Sequence, residues 1–108
     1  MLHAAQQIAL QSKHEKFRHG VVITRGGAII ARGFNAPEGG IHAEVHALSN
    51  RVGTNWSGCV VWSVRLLKSG ELSMARPCDK CMKALREARV KKVIYSDWRG
   101  FLREERVS

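Results

Sequence analysis

The chain has 108 residues, of which 44% are hydrophobic, and its formal net charge is +9. This length supports one core, so we expect residues 1–108 to form a single domain. No stretch is long and apolar enough to span a membrane, and the polar N-terminus does not resemble a signal peptide. A cytoplasmic location is therefore expected. The three cysteines are an odd count, which argues against a disulfide framework.

The positive charge is concentrated in the second half of the chain. Residues 1–50 carry five Lys/Arg and three Asp/Glu, whereas residues 51–108 carry thirteen and six. A basic surface of this kind favours an anionic partner, and nucleic acid is the natural candidate. The alternative is that these charges lie on a solvated surface and serve solubility.

The first half of the chain predicts a helix, a hairpin and a second helix. Apolar residues recur at helical spacing over 2–16. Two β-rich runs, 21–24 and 28–31, are separated by a glycine pair that suits a tight turn. A loop over 33–40 leads to the second helix, whose buried stripe is expected to be Ile41, Val45 and Leu48.

The second half predicts more strands around a third helix. The strands are expected at 60–66 and 93–95, and a turn at 68–71 returns the chain through 72–74. The buried stripe of the helix is expected at Met82, Leu85 and Ala88. Helices that alternate with strands indicate a layered α/β domain with a mixed sheet.

Two short motifs carry candidate chemistry: His42-Ala43-Glu44, and Pro77 followed by Cys78 and Cys81. One histidine and two cysteines can hold Zn²⁺ and leave its fourth position open for water, as in catalytic zinc sites. Glu44 is then the general base that takes a proton from this water.

The spacing of these residues predicts where they lie. Residues two apart on a helix point in nearly opposite directions, so His42 and Glu44 can converge only at a helix N-terminus. Cys78 and Cys81 share one helix face, and Pro77 suits a first turn. Two helix N-termini beside the thiols are expected to lower the pKa of both cysteines.

The H-x-E…P-C-x-x-C pattern resembles the cytidine deaminase superfamily, and the resemblance covers nearly the whole chain. Residues 76–97 are most similar to small cytidine or deoxycytidylate deaminase-like proteins of phages and large viruses. The resemblance implies a three-layer α-β-α fold with a mixed sheet of four to five strands. It also implies a Zn²⁺ cofactor and hydrolysis of cytosine to uracil, with Glu44 returning protons to the ring nitrogen and to ammonia.

Some features depart from the family. Only residues 98–108 remain for the fifth strand, which is therefore expected to be short, antiparallel or missing. The deaminase of riboflavin biosynthesis has a similar stretch around His42, but it separates its cysteines more widely than Cys78 and Cys81. Arg89 stands where family members usually have glycine, so we expect a left-handed backbone there.

Substrate contacts follow from the resemblance and from residue chemistry. Asn35 matches an asparagine that binds the substrate sugar, although an ordinary turn residue is the alternative. Aromatic rings after the fourth strand could stack on bases, with core packing as the alternative for Tyr95. The full set of expected substrate residues is Asn35, Ala43, Arg76, Tyr95 and Trp98, with Arg99 as a further phosphate contact.

Three functions remain open from the sequence. Cytosine in single-stranded nucleic acid is favoured as substrate, because the second half is basic and the C-terminus is short. Free cytidine or deoxycytidylate is the alternative substrate. A non-catalytic, zinc-stabilised nucleic-acid-binding module is the third possibility, and the presence of Glu44 argues against it.

Two further expectations concern single side chains. Cys59 follows no ligand spacing and should be a buried thiol. His3, His14 and His19 have no partner at ligand spacing and are expected at the surface.

Overall fold

The computed structural model describes residues 1–37, 40–51 and 53–107. Its elements are α1 Leu2–Ala9, β1 Phe17–Arg25, β2 Ala28–Phe34, α2 Ala43–Ser49, β3 Val60–Leu67, β4 Leu72–Ser73, α3 Asp79–Glu87, β5 Lys92–Ser96 and β6 Leu102–Arg106. None of the helices in the described ranges is long and apolar enough to cross a membrane.

The strands form one mixed sheet in the order β2-β1-β3-β5-β6, with the short β4 paired to β3. β3 and β5 are parallel, whereas the other pairs are antiparallel. Helix α1 packs on one face through a cluster that includes Ile8 and Val64. Helices α2 and α3 cover the other face, where Ala47 and Leu85 join the larger core. The expected three-layer α-β-α fold is confirmed.

Within the described residues the sheet has six strands, where four to five were expected. One additional strand is β4, which pairs with the end of β3 through Arg65↔Ser73 and Leu66↔Leu72. The last strand, β6, is short and antiparallel to β5. This agrees with the expectation that residues 98–108 form a short or antiparallel strand, or none. A tight turn makes the pairing with β5 possible, because Asp97 Oδ1 accepts hydrogen bonds from the backbone N–H groups of Arg99 and Phe101.

The first helix is shorter than the pattern over 2–16 predicts, since α1 ends at Ala9. Ser12 leaves the helix because its hydroxyl bonds to the side chain of Asn35, 2.7 Å away. Strand β1 then begins at Phe17, four residues before the predicted start, because it pairs with the whole length of β3.

The predicted stripe of α2 is wrong at two of its three positions, although Leu48 packs against the larger core. Ile41 is 56% exposed and Val45 is 41% exposed. The helix instead faces the sheet with its small residues, and a Cβ added to Gly33 would overlap the backbone of Ala43 and Ala47. This close approach buries Ala43, Glu44 and Ala47. In α3, by contrast, Met82 and Leu85 are buried as predicted.

Candidate active site

The three candidate metal ligands meet at the starts of two helices. His42 is the N-cap of α2, and Cys78 is the N-cap of α3, with Cys81 in the first turn. One ligand atom from each residue lies within 4.8 Å of the others. His42 Nδ1 is 3.1 Å from Cys81 Sγ and 3.7 Å from Cys78 Sγ. The prediction that both motifs begin helices is confirmed.

This group of donors fits zinc. Tetrahedral zinc, with bonds of about 2.1 Å to nitrogen and 2.3 Å to sulfur, holds such atoms roughly 3.6–3.8 Å apart. The separations around His42 Nδ1 are close to these values, so the side chains need only small adjustments to bind the ion. Three protein ligands leave one coordination position for water, which is the composition of a catalytic zinc site.

The Cys81 thiol does not have the lowered pKa expected from the helix N-termini. Burial raises its pKa, and the nearby Glu44 carboxylate and Cys78 add to this effect. Removing this thiol from water disfavours its charged thiolate form. Metal binding must therefore displace a proton from Cys81, which makes zinc affinity dependent on pH.

Glu44 is buried beside this group. Its side chain belongs to the first turn of α2, its residue exposure is 1%, and its Oε1 atom has no hydrogen-bond partner. A buried polar atom without a partner costs free energy, so it needs either a ligand or a functional reason. The closest basic group is His19, whose Nδ1 lies 3.8 Å from Glu44 Oε1.

His19 is buried, and the prediction that it lies at the surface is wrong. Its Nε2 is hydrogen-bonded to Ser63 Oγ, and the Ser63 hydroxyl donates to the carbonyl oxygen of Ala75, 2.9 Å away. Because the single hydroxyl proton goes to Ala75, His19 Nε2 is the donor to Ser63, and Nδ1 carries the lone pair that faces Glu44. Burial lowers the pKa of His19, and the Glu44 carboxylate only partly opposes this shift.

Asn35 lies at the end of β2, and both ends of its side-chain amide are used by the protein. Its Oδ1 accepts bonds from the backbone N–H of His19 and the hydroxyl of Ser12. Its Nδ2 donates to the carbonyl oxygen of Phe17. Its Oδ1 could bind a sugar only by replacing one of these bonds, whereas Nδ2 has a second N–H that can donate to a ligand. Its substrate role therefore stays a prediction.

Arg76 is held by an ion pair. Its guanidinium donates two hydrogen bonds to the two carboxylate oxygens of Glu105, at 2.7 and 2.9 Å. These bonds raise the pKa of Arg76 and lower the pKa of Glu105. A phosphate would have to compete with Glu105 for this side chain.

The other expected substrate residues differ in exposure. Ala43 and Tyr95 are buried within the larger core. The position of Tyr95 therefore agrees with core packing, the alternative to base stacking. Trp98 is 72% exposed, on the turn that also carries Arg99 and the exposed Phe101. A backbone hydrogen bond links this turn to the segment before α3. Ala75, three residues before Cys78, donates its N–H to the carbonyl of Ser96, two residues before Trp98.

A cleft of about 170 Å³ opens beside His42, on the side of β1. We call it the β1 cleft, and its walls include His14, Phe17, His19, Asn35, His42 and Arg65. His19 connects it to the buried Glu44 carboxylate. No sequence pattern indicated a role for Arg65, because its place in the cleft depends on the register His19↔Arg65 between β1 and β3.

The fold and the His/Cys/Cys group with its adjacent buried carboxylate define a zinc-binding domain of the deaminase class. The chain matches the sequence model of the cytidine and deoxycytidylate deaminase zinc-binding region over residues 1–97. It therefore belongs to this family, and its His/Cys/Cys group fits the zinc that the family binds. No curated protein sequence matches the chain.

Solved structures share the fold. RibD from Acinetobacter baumannii is 26% identical with a TM-score of 0.67, over 89% of this chain and 27% of that one. The dCMP deaminase of cyanophage S-TIM5 is 22% identical with a TM-score of 0.70, over 90% and 79%. Cytidine deaminase from Burkholderia pseudomallei is 16% identical with a TM-score of 0.78, over 98% and 89%. The chain thus spans about a quarter of RibD.

Proposed function

We propose that the chain is a zinc-dependent hydrolytic deaminase that converts cytosine to uracil and ammonia. The observation that carries this proposal is the buried Glu44 carboxylate, which has an unpartnered oxygen beside a His/Cys/Cys group. A zinc site that only stabilised the fold would have no use for a buried carboxylate at this position. Its presence therefore favours an enzyme over a non-catalytic nucleic-acid-binding module.

Each residue then has a defined task. His42, Cys78 and Cys81 would hold the ion, which when bound would make water acidic enough to lose a proton near neutral pH. Glu44 would accept this proton and deliver it to the ring nitrogen of cytosine as the water oxygen bonds to the amine-bearing ring carbon. Glu44 would then take the second proton from the added oxygen and pass it to the amino group, so that the carbon–nitrogen bond breaks and ammonia leaves uracil. Glu44 is buried and lies against His19, so bulk water is kept away from its carboxylate.

We propose single-stranded nucleic acid as the form in which cytosine is presented. The exposed Trp98 and Phe101 offer faces on which bases could stack, and Arg99 lies between them. The net charge of +9 favours a partner with several phosphates. A free nucleotide is the second candidate, because a structure of the cyanophage dCMP deaminase in complex with dCMP and dUMP has the same fold.

Replacement of Glu44 by Gln tests the mechanism. The amide cannot accept the proton, so turnover should fall by a factor on the order of a thousand or more. The metal ligands are unchanged, and about one zinc per chain should remain. Ammonia release from cytosine-bearing oligonucleotides and nucleotides measures the first quantity, and elemental analysis measures the second.

The matched variant is Cys81→Ala, which removes a ligand and should lose both zinc and activity. If Glu44→Gln lost its zinc, or kept most of its activity, Glu44 would not be the general base. If the wild-type protein bound one zinc and released no ammonia from any cytosine-bearing substrate, the non-catalytic module would be the better description.

A further inference from the structure

Arg65 lies in β3 and forms part of the wall of the β1 cleft. It pairs with His19 across the β1–β3 ladder, so both side chains project from the same sheet face as α2 and α3. Its guanidinium carbon is 5.5 Å from the centroid of the Phe17 ring. Stacking on an aromatic ring restricts the orientation of the guanidinium and leaves its edge available for hydrogen bonds.

The protein does not satisfy this side chain. Arg65 Nε is buried and has no hydrogen-bond partner. Across residues 1–37, 40–51 and 53–107, no carboxylate lies within ion-pair distance of Arg65. Elsewhere in the fold, Arg76 is paired with Glu105 and Lys92 is paired with Glu104. A buried N–H donor without a partner costs free energy, and an anion that accepts its hydrogen bond would remove that cost.

The surroundings of Arg65 also favour an anion. The other ionisable groups in the described lining of the β1 cleft are histidines, namely His14, His19 and His42. Arg65 is close enough to His19 to help lower the pKa of that histidine. Within the described lining, the β1 cleft thus has a cation and no acidic side chain, and it leads from His42 to Arg65.

We propose that Arg65 binds the phosphate attached to the sugar of the substrate, and that the β1 cleft holds the nucleotide between Arg65 and the metal group. This inference rests on the proposed function and specifies how the substrate is recognised. The planar guanidinium can donate two parallel hydrogen bonds to phosphate oxygens. The phosphate is either the monoester of a free nucleotide or a diester within a strand, since both present the same oxygens to Arg65.

The test compares the affinities of ligands with and without phosphate. Calorimetric titration of the zinc-loaded full chain carrying Glu44→Gln, which should not turn these ligands over, gives dissociation constants for deoxycytidine, dCMP and a trinucleotide with a central cytosine. The arginine variants are made in this background, whose own ratio is the wild-type value. The affinity of each phosphorylated ligand is then expressed as its ratio to that of deoxycytidine. In Arg65→Gln this ratio should fall by about 10- to 100-fold, as expected for a lost charge-assisted pair. A fall for dCMP identifies the monoester, whereas a fall for the trinucleotide alone identifies the diester.

Three variants serve as controls. Arg18→Gln removes the same charge from a side chain that bonds to the carbonyl of Leu67 on the opposite sheet face, and its ratio should stay at the wild-type value. Arg65→Lys keeps the positive charge without the planar guanidinium, so its affinity ratio should fall several-fold. If Arg65→Gln does not fold, Arg65→Lys alone tests the phosphate contact. Arg76→Gln tests the competing phosphate contact.

The assignment of the phosphate contact to Arg65 would be overturned if the affinity ratio stayed at the wild-type value in both Arg65 variants. It would also be overturned if the ratio fell in Arg76→Gln and not in the Arg65 variants. Because these ratios do not involve turnover, they separate the two proposals. A wild-type chain that releases no ammonia refutes the deaminase function. An unchanged ratio in the Arg65 variants refutes the phosphate contact.

Discussion

Arg89 has a left-handed backbone, with φ of 64°, directly after α3. It closes the helix, because its N–H bonds to the carbonyl of Arg86 and the N–H of Val90 bonds to that of Leu85. This pair of bonds is a common helix ending, and glycine is the residue that adopts it without steric cost. The left-handed backbone expected here from the sequence is confirmed.

Arg89→Gly should therefore stabilise the protein by about 1 kcal/mol, because it removes the clash between Cβ and the backbone. Thermal melting should show a rise of a few degrees. Arg86→Gly, within the exposed face of the same helix, is the matched control and should destabilise by about the same amount. A lower melting temperature for Arg89→Gly would mean that the arginine side chain makes a contact worth more than the strain.

Single residues also mark the limit of what the sequence could predict about the site. The metal ligands and the helix starts follow from local spacing, which is why His42 and Cys78 lie where the motifs place them. The roles of His19 and Arg65 depend on pairing between strands some 44 residues apart in the chain, and no local pattern reports that register. Alternation extended backwards from Val21 would have placed His19 on the buried face.

At the scale of elements, the position of α2 depends on a glycine beneath it. A side chain at Gly33 would meet the helix backbone at Ala43 and Ala47. The sequence suggested the larger Ile41 and Val45 as the buried stripe, because hydrophobicity alone does not reveal where a helix must approach a sheet closely. The predicted β-rich runs lie within β1, β2, β3 and β5, and Met82 and Leu85 of α3 are buried as predicted. The ends of β1 and β2 could not be predicted, because these strands extend beyond their apolar runs by pairing with their neighbours.

Gly33→Ala should destabilise the protein by about 1–3 kcal/mol and should also weaken zinc binding, because displacing α2 moves its N-cap, His42. Gly20→Ala is the matched control. It creates the same overlap with the backbone of Ala5 and Ala9 in α1, on the sheet face away from the metal group. Urea denaturation measures stability, and competition with a chromogenic chelator measures zinc affinity. Equal zinc affinities in the two variants would show that α2 does not position His42 through Gly33.

At the scale of the whole molecule, fold and charge give different kinds of information. The layered α/β architecture could be predicted because alternating helices and strands have few stable arrangements. The anionic partner could be predicted only as a class, since a net charge of +9 does not say where phosphates bind. The structure narrows the choice of phosphate-binding residues. Arg76 and Lys92 have carboxylate partners, whereas the buried Nε of Arg65 has no hydrogen-bond partner among the described residues.

If the substrate is single-stranded nucleic acid, binding of a cytosine-containing oligonucleotide should weaken steeply as salt rises. Each neutralised phosphate contributes about 0.7 to the slope of log affinity against log salt, so three contacts predict a loss of more than about tenfold between 50 and 200 mM. Fluorescence anisotropy at several salt concentrations measures this slope.

Trp98→Ala should weaken the same binding by about 1–3 kcal/mol at fixed salt, because an exposed indole provides a stacking surface for a base. It should leave the salt slope unchanged, because stacking releases no counterions. Leu10→Ala, an exposed apolar residue at the end of α1 on the other sheet face, is the control and should bind like the wild type. Efficient deamination of dCMP without detectable oligonucleotide binding at low salt would instead assign the free nucleotide as substrate and the positive charge to a solvated surface.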